Sequence, residues 1–322
     1  AFGEPVIHAL QRLRLTPKET QGQRIIDWKM HFEHAHAELS YDDQHFNHVT
    51  LIGMEPGARE VTVTCEGIVE TEDNAGVIGR HSGHLPLWSF LRQTSLTRPG
   101  TKLRALLREA GGQGAGAEGS APLDFLHALS GLIRDRIAYE TGRTHSATTA
   151  EEAVQHGYGV CQDHAHIFIG AARASGIPAR YVSGYLLMDD RIEQEATHAW
   201  AEAHVEGLGW VGFDVSNGIS PDPRYVRVAT GLDFREAAPI AGLTFGADNE
   251  AMSVSLQVQE QSPNNPGYVI RGITSDSGEA NVQPRISVFQ DGVSISRSRG
   301  SVVDLFDMPR VEILRGPQGT LF

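Results

Sequence analysis

Cys161 lies in HGYGVCQDHAHIFIG, just after a glycine-bounded turn, where a segment of helical spacing begins. A thiol is a poor nucleophile until it becomes a thiolate. The positive end of a helix and a neighbouring imidazolium both favour the thiolate. His198, in THAWAEAHVEG, can supply the imidazolium if the next strands bring it alongside, and Asp214, at the end of WVGFD, can then hold the ring by its other nitrogen. Such a carboxylate fixes the tautomer and stabilises the cation. The backbone N–H groups at the helix start, that of Cys161 included, are candidates for an oxyanion hole. A lone cysteine or a lone histidine in these settings is ordinarily structural; the ordered combination points to nucleophilic acyl chemistry.

The elements that must position these residues are legible around them. A helix runs from Cys161 through Ala174, where Gly176 and Pro178 stop it, and a strand covers Arg180 to Leu187. THAWAEAHVEG alternates, with His198, Trp200, Glu202 and His204 on one face and Ala199, Ala201, Ala203 and Val205 on the other. A turn at Gly207–Gly209 leads into WVGFD. A symmetric two-residue hairpin at Gly207–Leu208 would put Asp214 opposite Ala201, three residues from His198. That offset is about 10 Å along a strand, so a bulge, a longer loop or strong twist must close it.

Upstream, residues 1 to about 80 read as β-rich, through RIIDWKMHF, HVTLIGM and REVTVTCEGIVET. Thr101–Ala110 and Leu123–Tyr139 have helical spacing, separated by the low-complexity break GGQGAGAEGSAP, and Thr148 or Thr149 caps a short helix with Glu151 or Glu152 in its first turn.

Other residues invite a role and a plainer reading. Asp163, two residues after Cys161, either positions substrate or serves as a first-turn acid favoured by the helix dipole, and His164 lies beside it. Trp200 and Trp210 either wall a substrate groove or pack in the core, and Tyr158, inside the glycine turn, is a further substrate-binding candidate. His145 and His156 precede the nucleophile with nothing to discriminate them. The run HFEHAHAELSYDDQHFNH holds His31, His34, His36, His45 and His48, but as one strand His34 and His36 share a face that His31 does not, and a solvated face is expected rather than a metal site. Cys65, in VTVTCEG, reads as a small buried hydrophobe.

Composition sets outer limits. With 40% apolar and 21% charged residues the chain is an ordinary globular one, long enough for two or three domains. A formal charge of −13 argues against a nucleic-acid or anionic-membrane partner. No apolar run approaches the roughly 18–20 residues that span a bilayer, so residues 1–262 are not expected to insert. Two cysteines make no disulfide framework. The chain starts at Ala1, which fits a processed N-terminus, and the compartment stays open with cytoplasm favoured over periplasm.

GYGVCQDHAH, GIPARYVSGYL, THAWAEAHVEGLGWVGFDVSNG and GLTFGADNEAMSVSLQVQ resemble the bacterial transglutaminase-like proteins with a papain-like core, and LRLTPKETQGQRIIDW and HFNHVTLI resemble the β-rich domain preceding it. The resemblance covers about residues 1–260. One departure is Phe46 before Asn47, where related sequences tend to have glycine. The resemblance implies an α+β fold: an N-terminal antiparallel β domain (1–84), then a papain-like transglutaminase core (85–262). It implies Cys161, His198 and Asp214 as a catalytic set needing no metal or organic cofactor, and a thioester acyl-enzyme formed from a peptide or protein substrate. Hydrolysis of an amide bond is favoured over amine transfer to protein glutamine; a catalytically silent binding module is the reading from another class.

Residues 263–322 differ in character, with six Arg against six Asp plus Glu, so that the whole excess charge falls on residues 1–262. PGYVIRGITSDSG and RVEILRGPQGTLF resemble part of the plug domain of TonB-dependent outer-membrane receptors. This implies a short β-rich segment derived from such a receptor, with SPNNP (262–266) as the junction.

Overall fold

The computed structural model describes residues 2–6, 8–111, 122–188, 193–194, 196–245 and 251–259, and the short stretches 269–270, 273–274, 288–290 and 293–295. Residues 112–121 of the low-complexity break, the SPNNP junction and most of the receptor-like tail lie outside them. The chain divides into two compact units, Ala1–Val258 and Gln259–Phe322. In the second, the described stretches are two small antiparallel pairs, Val269–Ile270 with Ile273–Thr274 and Val288–Gln290 with Val293–Ile295.

The first unit opens with six strands: β1 (His8–Leu13), β2 (Gln23–Glu33), β3 (Ala35–Asp42), β4 (His48–Met54), β5 (Thr62–Thr71) and β6 (Val77–Gly79). Helices α1 (Thr101–Glu109) and α2 (Pro122–Arg136), strand β7 (Ala138–Tyr139), helix α3 (Ala150–His156) and strand β8 (Tyr158–Gly159) lead to helix α4 (Cys161–Ala174). Then come β9 (Ala179–Leu186), β10 (Glu193–Gln194), β11 (His198–Val205), β12 (Gly209–Phe213), β13 (Tyr225–Gly231), the short α5 (Phe234–Ala237), β14 (Ile240–Phe245) and β15 (Leu256–Gln257). This is the expected α+β arrangement.

Two sheets organise the unit. One has the order β14-β1-β4-β3, and the other, β13-β9-β11-β12-β6, is antiparallel throughout. The alternation read in β11 is what the second sheet uses. Ala199, Ala201, Ala203 and Val205 face the main core together with Ile167, Phe168, Ala171 and Ala172 of α4. The small alanines let the helix lie close on the sheet, and Phe168 stacks on Phe213 of β12 at 4.9 Å. Leu103, Leu106 and Leu107 of α1 and Leu126, Leu129 and Ile133 of α2 enclose α4 from outside.

Local sequence explains the helix starts. Thr149 caps α3 in a reciprocal box with Glu152. Glu151 reaches across to α1, whose first turn lacks a capping side chain of its own, and accepts from the N–H groups of Gly100, Lys102 and Leu103. The histidine run is not one strand. His34 turns the chain with φ 60, which puts His31 in β2 and His36 in β3.

On its other face the second sheet carries buried charge. Glu202 is fully buried between Arg180 (2.6 Å) and Arg227 (2.6 Å). Burial alone would raise its pKa, but the two guanidinium groups hold it down to about 2. Beside them Lys18 donates to the backbone oxygen of His45, to Asn47 and to Thr230, and burial pushes its pKa well below the usual lysine range. Phe46 has φ 55, the left-handed backbone that glycine adopts without strain, and its ring rests on His84 at 5.0 Å.

Asn47 is the hub of this seam: its Oδ1 accepts from Lys18 Nζ and the Thr230 N–H, and its Nδ2 donates to Asp43 and the Thr230 oxygen. Replacing Asn47 by Ala strands those buried partners, each costing about 1–3 kcal/mol. We expect Asn47→Ala to lose roughly 3 kcal/mol or more of stability, measured as a fall in the urea midpoint.

Candidate functional site

Cys161 is the first residue of α4. The preceding residue, Val160, has no side-chain oxygen to cap the helix. Asp163 does this instead: its Oδ2 accepts the Val160 N–H at 2.9 Å and the Thr144 hydroxyl at 2.7 Å. The fit needs Gly159, because a Cβ there would lie 2.6 Å from Asp163 Cβ. Asp163 is 1% exposed, so it is a capping residue rather than a substrate contact. His164 is likewise buried, held between Ser216 Oγ (2.9 Å) and the Ile137 oxygen (3.1 Å), and burial lowers its pKa.

His198 opens β11 and donates from Nε2 to Asp214 Oδ2 at 2.6 Å. The Cys161 thiol is near enough to help raise the pKa of this ring. The offset anticipated from a two-residue hairpin is resolved by the loop. Val205 pairs with Gly209, leaving three residues, 206–208, between the strands, with Gly207 and Gly209 both at φ +86. Ala201 therefore faces Phe213, and Asp214 falls next to Trp200's level rather than Ala201's. One residue of register moves a side chain to the opposite face, so the longer loop sets Asp214 on the side of His198.

Asp214 is fully buried and well supplied with donors. Its Oδ2 accepts from His198, from Asn217 Nδ2 at 2.7 Å and from the Tyr225 hydroxyl at 2.7 Å. Burial would raise its pKa, but these hydrogen bonds and the His198 charge hold it below the usual carboxylate range. Burial likewise opposes a charged His198, yet Asp214 and Cys161 together raise its pKa to about 10. Asn217 follows Asp214 by three residues and its role has a sequence cue, since Asx residues bond locally in turns. Tyr225 had none; it arrives through β13.

The aromatic candidates separate. Trp200 is 2% exposed, behind His198 (6.2 Å between rings) and edge-on to Tyr225. Trp210 is 1% exposed in a cluster with Phe90 and Leu232, under Arg180. Both rings are held by packing, and Trp200 also borders a cavity with Gln23, Pro221 and Tyr225. Tyr158 is half-buried three residues before Cys161, stacked on His156 with the Arg143 guanidinium 4.0 Å from its ring centre. His145 accepts the Ala147 N–H in the loop before α3. Cys65 sits in β5 opposite Met30, and burial raises its thiol pKa to about 11. The five histidines of that run pair with separate carboxylates: His31 with Glu66, His34 with Glu55, His36 with Glu38, His45 with Glu236 and His48 with Asp42. Among the described residues no three His, Cys, Asp or Glu side chains converge as metal ligands.

A thiol at a helix start beside an imidazole and a carboxylate, on an antiparallel sheet, defines a cysteine-centred α+β core. Comparison with known proteins names it. Residues 112–215 match the transglutaminase-like superfamily, residues 1–70 the bacterial transglutaminase-like N-terminal region, and residues 243–322 the TonB-dependent receptor plug domain. The first two matches give the chain a transglutaminase-like core behind a bacterial transglutaminase-like N-terminal region. An uncharacterized protein of Mycobacterium leprae is 26% identical over 275 residues, covering 80% of this chain and 94% of that protein. An uncharacterized protein of Mycobacterium tuberculosis (H37Rv) is 29% identical over 280 residues, covering 80% and 88%. A crystal structure from Cytophaga hutchinsonii, described as a candidate cysteine protease, shares the fold with a TM-score of 0.58 at 21% identity, over 80% of this chain and 89% of that one. The plug match begins inside the first compact unit, at the strand that pairs with β1.

The His198–Asp214 pair has a pH signature. A histidine whose folded pKa is raised contributes stability that is fully present below its unfolded value and lost as pH rises through the folded one. Stability should therefore fall between about pH 6.5 and pH 10. Asp214→Asn should flatten that slope, as read from the melting temperature against pH.

Proposed function

We propose that this chain is a thiol-dependent amide-bond hydrolase acting on a peptide or protein substrate, with Cys161 as nucleophile, His198 as acid and base and Asp214 as the group that orients and charges the ring. The observation that carries the reading is the His198 imidazole, bonded to the buried Asp214 carboxylate at 2.6 Å and raised in pKa by that carboxylate and by the Cys161 thiol at the start of α4.

The sulfur attacks the amide carbonyl carbon, an S–C bond forms, and the carbonyl π pair moves onto oxygen. Collapse expels the amine, which takes its proton from the His198 imidazolium, leaving a thioester. Water then attacks the thioester with neutral His198 as base, releasing the acid and restoring the thiolate–imidazolium pair. Asp214 stays ionised throughout. Its other acceptor positions are filled by Asn217 and Tyr225, which hold it still while the ring charge comes and goes.

Amine transfer uses the same residues and differs only in what reaches the thioester. Water is favoured when the site does not exclude it. Trp200 and Trp210, the rings best suited to wall off such a site, are packed into the interior. In the same proposal residues 85–262 carry the chemistry, residues 1–84 brace them, and residues 263–322 take no part in it.

At neutral pH, iodoacetamide should label Cys161 at least 10²-fold faster than Cys65, since only thiolate is alkylated and the Cys65 thiol is held protonated. Incubated with a peptide library and a labelled primary amine, the protein should release new termini without incorporating the amine, and Cys161→Ala should release none. Incorporation would establish the transferase instead. Equal labelling of both cysteines, with no turnover, would leave a binding module.

A further inference from the structure

His164 is buried one helical turn from the candidate nucleophile, and the chemistry described so far gives it no task. It follows Cys161 by three residues in α4, so the two side chains share a face of the helix. The Ile137 carbonyl can only accept, so His164 Nε2 carries the proton and donates to it at 3.1 Å. Burial lowers the pKa of the ring, which is therefore neutral at pH 7, and Nδ1 accepts from the Ser216 hydroxyl at 2.9 Å. The Tyr139 ring packs edge-on against the imidazole at 6.0 Å.

These two bonds reach both sides of the candidate site. Ile137 follows α2 and leads directly into β7, which pairs with β8 just ahead of Cys161. The bond to Ile137 therefore ties the ring to the same backbone that delivers the sulfur. Ser216 lies two residues past Asp214, inside a tight turn. There the Asp214 N–H donates to the Ile219 oxygen at 2.9 Å, and the Asp214 backbone oxygen accepts from the Gly218 N–H at 2.8 Å. Asn217, in the same turn, donates to the Asp214 carboxylate at 2.7 Å. The Ser216–His164 bond thus joins the helix of the thiol to the turn of the acid.

We propose that His164 and Ser216 are positioning residues, whose hydrogen bond holds the Asp214 turn against the start of α4 so that His198 serves carboxylate and thiol at once. This rests on the acyl-transfer reading given above. Neither residue touches substrate. Asp214 grips the imidazole at 2.6 Å, so a turn that drifts from α4 takes the ring with it. The sulfur then loses the partner that keeps it ionised, and the leaving amine loses its proton donor. The backbone bonds across 214–219 stay intact in such a drift, so the fold survives while the aim is lost.

The test uses the full chain and p-nitrophenyl acetate, which acylates a reactive thiol and releases nitrophenolate in a burst. Rates are compared below the melting temperature of each variant. In Ser216→Ala the limiting burst rate should fall about 10-fold, part of the roughly 10²-fold that a misplacement of about 1 Å can cost. The half-saturating ester concentration should stay level, because nothing that binds the ester has changed. Ser216→Thr keeps the O–H and should restore most of the rate. His164→Gln keeps an N–H for Ile137 and puts no acceptor at the level of Nδ1. Combined with Ser216→Ala it should cost no more than either change alone, since both remove one bond. An undiminished burst in Ser216→Ala would refute the proposal and leave the hydrolase reading standing. A fall that Ser216→Thr does not reverse, or losses that multiply in the double variant, would also refute it and make the pair ordinary packing. A wild-type burst no larger than that of Cys161→Ala would overturn the acyl-transfer reading and this proposal together.

Discussion

A charged imidazole next to a buried carboxylate exists only where several groups agree on where the negative charge belongs. Asp214 has no solvent contact, so its ionisation depends on donors supplied by the fold: His198 from β11, Asn217 from the loop after β12 and Tyr225 from β13. Each sits on a different segment, and each would be left unmatched if Asp214 faced the other way. The three-residue loop at 206–208 decides that orientation. The site is thus the end product of a register, and the register is set by two glycines with positive φ far from the sulfur.

The two faces of the same sheet differ in kind, one apolar and one charged. Toward α4 it is dry and built of alanine, which lets the helix bring its positive end against the strand that carries His198. On the reverse face Glu202 is clamped by Arg180 and Arg227, and the Lys18–Asn47–Thr230 bridge continues into the N-terminal strands. A buried charge group of this kind is weak evidence for net stability, because desolvation offsets much of the attraction. It does demand one partner geometry, since any slip leaves an unpaired ion in a low dielectric. This locks β13, and with it Tyr225, to both the sheet and the preceding domain.

What the sequence disclosed followed from local rules. The α4 boundaries, the Thr149 box with Glu152 and the alternation of β11 each depend on neighbours a few residues apart. What escaped was non-local or shifted by one residue. Tyr225 and Glu202 take their meaning from segments far away in the chain, and neither residue type announces it. The histidine run breaks at His34, which adopts the left-handed region; His is enriched there, but it announces such a turn far less plainly than Gly does. Asp163 and Trp200 stand beside the site residues in sequence but turn inward, since a helix cap and a half-turn of strand point them there.

Strand β14 returns from the far end of the first unit to hydrogen-bond along the whole of β1, from Leu13 against Ile240 to His8 against Phe245. The unit therefore closes on itself, with its opening and final long strands as neighbours in one sheet. During synthesis β1 must wait for nearly the entire unit to emerge before that edge is covered, and an unpaired strand edge invites intermolecular association. Folding of the N-terminal sheet becomes hostage to completion of the core, so a nascent chain arrested midway presents an adhesive border where the finished protein has a seam.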